Sequence, residues 1–150
     1  MKVAKIGAST TIDRPVDEVW RYSIDWSKGP QWDPGLVECK VTSEGPLGVG
    51  TTLQSKRTTR GAKLIDFRVA EYEPGRMLTA EVMSPHAMRG TRITQSLESV
   101  EGKTKVNIAW DMKLHGFYSL FGPLLAREAN KGCETQVGNL KRVIESEAKS

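Results

Sequence analysis

A chain of 150 residues, 38% hydrophobic and 27% charged, has globular composition, which excludes disorder, collagen and coiled coil as descriptions of the whole. The length is that of one domain, no apolar run is long enough to span a bilayer, and a net charge of +4 is too small and scattered for a nucleic-acid-binding stripe. Surface scaling buries about two thirds of such a chain, enough for one core with room for a cavity.

At the amino end Ile6, Ala8, Thr10 and Ile12 share one parity and Lys5, Gly7, Ser9 and Thr11 the other, which predicts a half-buried strand. Asp13-Arg14-Pro15 ends it and opens a short amphipathic helix. Asp17 and Glu18 suit the positive end of that helix, and Val16, Val19, Trp20 and Ile24 recur at helical spacing. From Asp25 to Gly35 the chain is broken by Gly29, Pro30, Pro34 and Gly35, so it reads as one or two tight turns capped by Trp26 and Trp32.

Val37, Cys39 and Val41 then alternate with Glu38, Lys40 and Thr42. Gly45-Pro46 and Gly48-Val49-Gly50 mark turns before a strand from about Thr51 to Arg60, with Arg60-Gly61 a hairpin candidate. Ile65, Phe67 and Val69 make the next strand, Glu73-Pro74-Gly75 a turn, and Leu78, Ala80 and Val82 the strand after it. Beyond a loop from Ser84 to Gly90, Gln95 shares the parity of Ile93 and Leu97, and Glu101-Gly102 turns the chain. Val106, Ile108, Trp110 and Met112 alternate with Lys105, Asn107, Asp111 and Lys113. About seven strands with short links predict an antiparallel sheet with one buried face.

The pattern changes at Gly122-Pro123. From there to about Glu147, roughly 37 Å if helical, Leu125, Ala129, Cys133 and Gln136 continue into Val137, Leu140, Val143 and Ile144 as one apolar stripe. Arg127, Lys131, Glu134, Lys141 and Glu145 lie opposite. The expected architecture is α+β. A curved antiparallel sheet of about seven strands wraps around a long C-terminal helix, with two short helices after the first strand, in a single domain over residues 1–150. Cys39 and Cys133 form no CxxC, and Met1 to Ile12 holds no signal-peptide core, so a reducing, cytoplasmic setting is expected.

Several local marks carry a family likeness: Ile12-Asp13-Arg14-Pro15-Val16-Asp17-Glu18-Val19-Trp20 at the strand-to-helix junction, then Asp25-Trp26 and Trp32. Gly48-Val49-Gly50-Thr51 and Tyr72-Glu73-Pro74-Gly75-Arg76 follow at two later turns. In this order they resemble the START and polyketide-cyclase superfamily (SRPBCC), whose helix-grip fold is shared with the birch-pollen-allergen-like proteins. The resemblance covers nearly the whole chain. It implies a deep, largely apolar cavity between sheet and long helix that receives a lipid, sterol, polyketide or similar small molecule, without fixing one activity.

In that architecture the cavity would be lined by Phe67, Val69, Leu78, Ala80, Ile93, Trp110 and Met112 from the strands. Leu125, Ala129, Cys133 and Gln136 would line it from the helix. The alternative is that these side chains fill a solid core. Polar residues on inward parities say more, because a buried polar group needs a partner and a ligand can be that partner. Arg57 shares the parity of Leu53 and Ser55, and Gln95 and Gln136 supply amides. Their convergence predicts an amphipathic ligand with an oxygenated or acidic end. For Arg57 the alternative is a mouth residue reaching water.

Other chemistry is less favoured. His86 and His115 border the expected mouth, yet neither has a Ser, Cys or carboxylate nearby in sequence to form a catalytic unit. Asp66 and Arg68 read as a surface pair on the wet parity. No HExxH spacing or lysine-bearing phosphate loop occurs, so no metal or cofactor is expected. Lys56, Arg57, Arg60 and Lys63 flank one hairpin without the interleaved aromatics that base stacking needs, so no nucleic-acid partner is expected. The apolar segment from Phe117 to Leu125 is either a lid over the cavity, free to touch membrane transiently, or a plug that completes the core.

The first function expected is therefore non-catalytic binding of a hydrophobic or amphipathic small molecule such as a lipid or polyketide. Two others stay open. One is an enzyme resembling the cyclase and dehydratase branch of the superfamily, with Arg57 or a mouth histidine polarising a carbonyl or shuttling a proton. The other is a protein-interaction module resembling co-chaperone activators, with Phe117 to Leu125 as its contact surface.

Overall fold

Seven antiparallel strands follow the predicted alternations: β1 (Lys2–Ile12), β2 (Leu36–Val41), β3 (Thr52–Arg57), β4 (Leu64–Glu73), β5 (Met77–Ser84), β6 (Arg92–Val100) and β7 (Lys103–Leu114). The computed structural model describes residues 2–58 and 64–147, so the hairpin expected at Arg60-Gly61 lies outside the described residues. Sheet order is β1-β7-β6-β5-β4-β3-β2, a meander from β2 to β7 with β1 joined to its far side. Helix α1 (Val16–Ser23) and a 3₁₀ turn (Trp26–Gln31) fill the link from β1 to β2, a short 3₁₀ turn (His86–Met88) lies between β5 and β6, and helix α2 (Gly122–Glu147) follows β7 after a further 3₁₀ turn (Gly116–Phe121). This is the helix-grip architecture that the sequence predicts.

Turn chemistry sets the short links. At Glu101-Gly102 both residues have positive φ, 52° and 80°, with Val100 opposite Lys103. That two-residue geometry twists in the same sense as the strands it joins. At the β4–β5 turn Gly75 has φ 79° after Pro74, and the Arg76 N–H donates to the Glu73 carbonyl at 3.0 Å.

Strict alternation fails in β4. The register shifts between Asp66 and Phe67 and again between Val69 and Glu71. The second shift turns Tyr72 inward, where its ring stands 6.2 Å from that of Trp20 on α1. A period of two gives no warning of such a bulge. The expected Asp66–Arg68 pair does not form: Asp66 accepts hydrogen bonds from Gln54 and Ser84, and Arg68 faces Glu81 at 3.6 Å on the neighbouring strand.

Helix α2 makes its closest strand contacts with β1 and then with β7. Its polar side chains explain why. Asn130 Oδ1 accepts from the Gly7 N–H at 3.2 Å, Lys141 Nζ donates to the Thr11 carbonyl at 2.7 Å, and Glu145 Oε2 accepts from the Asp13 N–H at 3.0 Å. An uncovered strand edge leaves such backbone groups open to wrong pairing. Here the helix covers the β1 edge, and the apolar stripe beneath it packs Val137, Leu140 and Ile144 into the core with Ile12, Val19 and Val106.

Gly7 has no room for a side chain between β1 and β7: a Cβ there would stand 2.7 Å from the Ile108 carbonyl oxygen, which is backbone and yields little. Gly7→Val is expected to cost about 2 kcal/mol, typical of overpacking, seen as a lower urea midpoint at unchanged m-value. An unchanged midpoint would mean that the two strands part freely.

Two carboxylates tie acid stability to this framework. The Lys141 hydrogen bond, followed by that from the Asp13 backbone, lowers the pKa of Glu145; bonds from Ser84 and then Gln54 lower that of Asp66. A carboxyl whose pKa falls on folding stabilises the fold fully above the ordinary range near about pH 4 and loses that contribution as pH drops through the lowered value. Thermal melts should show Tm falling in that acid window, and Glu145→Gln should flatten part of the slope. A variant with the parent's slope would remove Glu145 from this account.

Candidate functional site

Strand register gathers most of the predicted lining residues. Trp110 on β7 stands opposite Ile93 on β6, Ile93 opposite Ala80 on β5, and Ala80 opposite Val69 on β4. One step along, Gln95 is opposite Leu78, and Phe67 is opposite both Val82 and Leu53. Since side chains two apart point the same way, these residues share the middle of the inner face. Val69 and Leu78 are buried there, whereas Phe67, Ala80, Ile93, Gln95 and Trp110 keep partial exposure. From α2, Cys133 is buried in the core, and Leu125, Ala129 and Gln136 are half-buried. Met112 stands apart: it is buried near the end of β7, opposite Ala4, and outside the main core cluster.

Arg57 reaches the interior with its fork already engaged. Nη1 bonds Asp33 Oδ2 at 2.9 Å and Nη2 bonds Oδ1 at 3.0 Å, with 22% and 9% of the two side chains exposed. Gly35 makes room for the pair, since a Cβ there would lie 2.9 Å from Nη2, and its N–H donates to Asp33 Oδ1 at 3.2 Å. Asp33 is absent from the residues that the sequence singles out. No linear spacing joins a turn residue to a strand residue 24 positions on, and the one available signal is the demand of an inward guanidinium for a carboxylate.

Both thiols are free and lie near this ion pair. Burial, the largest cause in each case, pushes Cys39 and Cys133 up to about 11; Arg57 lowers Cys39, while the Asp33 charge raises both. They are neutral thiols at physiological pH, suited to packing rather than to nucleophilic attack.

Four polar atoms on this side of the sheet are buried without a hydrogen-bond partner among the described residues: Trp32 Nε1, Ser55 Oγ, Gln95 Nε2 and Trp110 Nε1. Gln95 and Trp110 are diagonal neighbours across β6 and β7, within about 7–8 Å. Ser55 sits on β3 between Cys39 and Ile65. Trp32 ends the 3₁₀ turn, where its carbonyl accepts from Asn139 of α2 at 3.2 Å. Each such orphan costs about 1–3 kcal/mol, so a group of them on one face calls for a cause.

Other features lie apart from this face. His86 and His115 meet with ring centroids 5.3 Å apart beside the β5–β6 loop, and His115 Nε2 donates to the Arg89 carbonyl at 2.8 Å. Phe117, Leu120, Phe121 and Leu124 are 70%, 73%, 43% and 56% exposed, so they plug no core. An open groove of about 640 Å³ between α1 and the β4–β5 turn, bordered by Glu73, Arg76, Glu98 and Asn107, contains none of the predicted lining residues.

The family described as polyketide cyclase / dehydrase and lipid transport matches residues 3–145. The chain belongs to that family. Among solved structures, the di-domain ARO/CYC StfQ from the steffimycin biosynthetic pathway superposes on this polyketide cyclase/dehydrase family member with a TM-score of 0.79 at 14% identity. The match covers 99% of this chain and 52% of StfQ, so the chain spans about half of that protein. Ara h 8.0201 superposes with a TM-score of 0.70 at 14% identity, over 97% of this chain and 99% of its own. At such identities the two structures establish the fold. A search of curated proteins found no match.

Proposed function

We propose that this member of the polyketide cyclase/dehydrase and lipid transport family binds a hydrophobic small molecule without covalent chemistry, between the middle of the inner sheet face and α2. One observation carries the reading. Phe67, Ala80, Ile93 and Trp110 face inward at the centre of a seven-stranded sheet and keep partial exposure, whereas Ile12, Val106 and Leu140 toward β1 are fully buried. A solid interior buries its centre most completely, so exposure there supports a hollow. At about 25 cal/mol per Å², 200 Å² of buried apolar ligand surface would contribute roughly 5 kcal/mol before the costs of immobilisation.

Cyclase or dehydratase activity is a second reading of the same site. The family description favours it. Arg57, held by Asp33, and His115, held by the Arg89 carbonyl, are each already engaged within the chain.

Native mass spectrometry of protein purified from its own host tests the binding reading. The expected spectrum carries a non-covalent adduct that denaturation releases. A bare chain that also takes up nothing from added lipids and polyketones would overturn it.

The exposed Phe117, Leu120, Phe121 and Leu124 fit the lid and give it a surface to rest on. No acidic residue occurs from Lys113 through Arg127, which suits brief contact with an anionic lipid surface. Sedimentation with phosphatidylglycerol vesicles should exceed that with phosphatidylcholine vesicles. Replacing Phe117 and Leu120 together with Ser should weaken it by at least about tenfold, given the apolar area removed. Equal sedimentation of parent and variant would remove this contact.

A further inference from the structure

We propose that two copies of this chain pair in solution through the outer edge of β2, antiparallel and related by a two-fold axis through Cys39. The sheet has two ends. At β1 the edge is bonded by Asn130, Lys141 and Glu145 of α2, whereas β2 forms the other end and no strand pairs with its outer side among the described residues. Val37 and Val41 are 48% and 45% exposed there, and Glu38 and Lys40 are exposed between them. Neither charge takes part in an ion pair among the described residues. An open edge of this kind is a template for a further strand.

Hydrogen-bond direction fixes what the edge offers. The Thr42 N–H donates to the Thr52 carbonyl at 2.8 Å, and Lys40 and Glu38 stand opposite Gln54 and Lys56, so residues of this parity spend their backbone groups on β3. Cys39 and Val41 alternate with them and turn their N–H and C=O groups outward. In an antiparallel pair outward groups must meet outward groups. Every register open to a second β2 therefore sets an odd-numbered residue of one copy against an odd-numbered residue of the other.

Charge selects among these registers. With Cys39 opposite the partner's Cys39, Glu38 faces the partner's Lys40, Lys40 faces the partner's Glu38, and Val37 faces the partner's Val41. Both charged pairs then fall at non-hydrogen-bonded positions, where Cα atoms approach to about 4.5 Å and side chains are closest. A slip of two residues one way sets Lys40 against its own copy, and the same slip the other way sets Glu38 against its own copy. Opposite charges so placed attract, and like charges directly opposite destabilise. Charged residues guard an edge by repelling a copy of themselves, but a Glu and a Lys two apart on one strand do so only out of this register. The shift between Leu36 and Glu38 keeps the regular stretch of β2 short, so the pairing is reversible. The contact is self-complementary and closes as a dimer, with the two seven-stranded sheets joined edge to edge.

Sedimentation equilibrium of the full chain, from about 10 µM to about 1 mM protein in about 50 mM salt, should show a reversible monomer–dimer equilibrium that weakens as salt is raised. Glu38→Lys and Lys40→Glu each turn both attractive pairs into repulsive ones, and each should weaken the dimer at least about tenfold. Mixing the two variants in equal amounts should restore association to within about threefold of the parent, because every charge then faces its opposite again. Both positions are exposed, so urea midpoints close to the parent's verify folding. A parent that stays monomeric at about 1 mM overturns the proposal. A dimer that either charge reversal leaves within about twofold of the parent also overturns it, since the contact then lies elsewhere, as on the exposed Phe117 and Leu120. A mixture that associates no more tightly than its components overturns the register and the proposal with it.

Discussion

Replacing Asp33 with Ala should lower the unfolding free energy by about 3 kcal/mol, because breaking a mostly buried ion pair leaves its partner charge without compensation. The guanidinium of Arg57 loses bonds of 2.9 and 3.0 Å at once and is only 22% exposed, so water reaches it poorly. Removing the stranded charge as well, with Arg57→Met, should recover most of the loss, since buried ion pairs are often replaced by apolar groups at little cost. Urea unfolding of the two single variants and the double variant gives the coupling directly. A cost below about 0.5 kcal/mol for Asp33→Ala would place the pair among solvent-screened surface bridges.

A bulky residue at Ala80 is the second large effect. If the middle of the inner face borders a hollow, Ala80→Phe puts its ring into empty space. Stability should then stay level or rise by up to about 1 kcal/mol, as cavity filling does, while affinity for 2-acetylnaphthalene falls at least about tenfold. The neighbour directly opposite supplies the contrast. Val69 is fully buried, so Val69→Phe should cost about 1–3 kcal/mol in the ordinary manner of overpacking. Equal penalties at the two positions would mean that the space beside Ala80 is as full as that beside Val69.

The fold was legible where one face of each element is apolar. Val106, Ile108, Trp110 and Met112 announce β7, and the stripe from Leu125 to Ile144 announces α2, because these patterns report burial against a single surface. Departures from the periods were not. The bulge at Val69 and Glu71 brings Tyr72 inward through a backbone irregularity that side-chain alternation does not encode. The seating of α2 against β1 depends on Asn130, Lys141 and Glu145 bonding that edge, residues whose spacing marks them only as polar.

The site divides along the same line. Which strand residues face inward follows from parity, so Phe67, Ala80, Ile93, Gln95 and Trp110 could be placed on one face from the sequence. Which polar groups are already paired depends on contacts between distant segments. Arg57 and Gln95 look equivalent in sequence, yet Asp33 engages the first while the second keeps an orphaned nitrogen. The same limit applies to Phe117 to Leu125, where local composition suits a lid and a plug alike and only exposure separates them.

The hollow itself is tested most directly by locating a bound probe. Intermolecular nuclear Overhauser effects from 2-acetylnaphthalene should reach the methyls of Ala80 and Ile93 and the indole of Trp110. Contacts confined to the exposed Phe117 and Leu120, with none to those three interior side chains, would contradict an inner binding site.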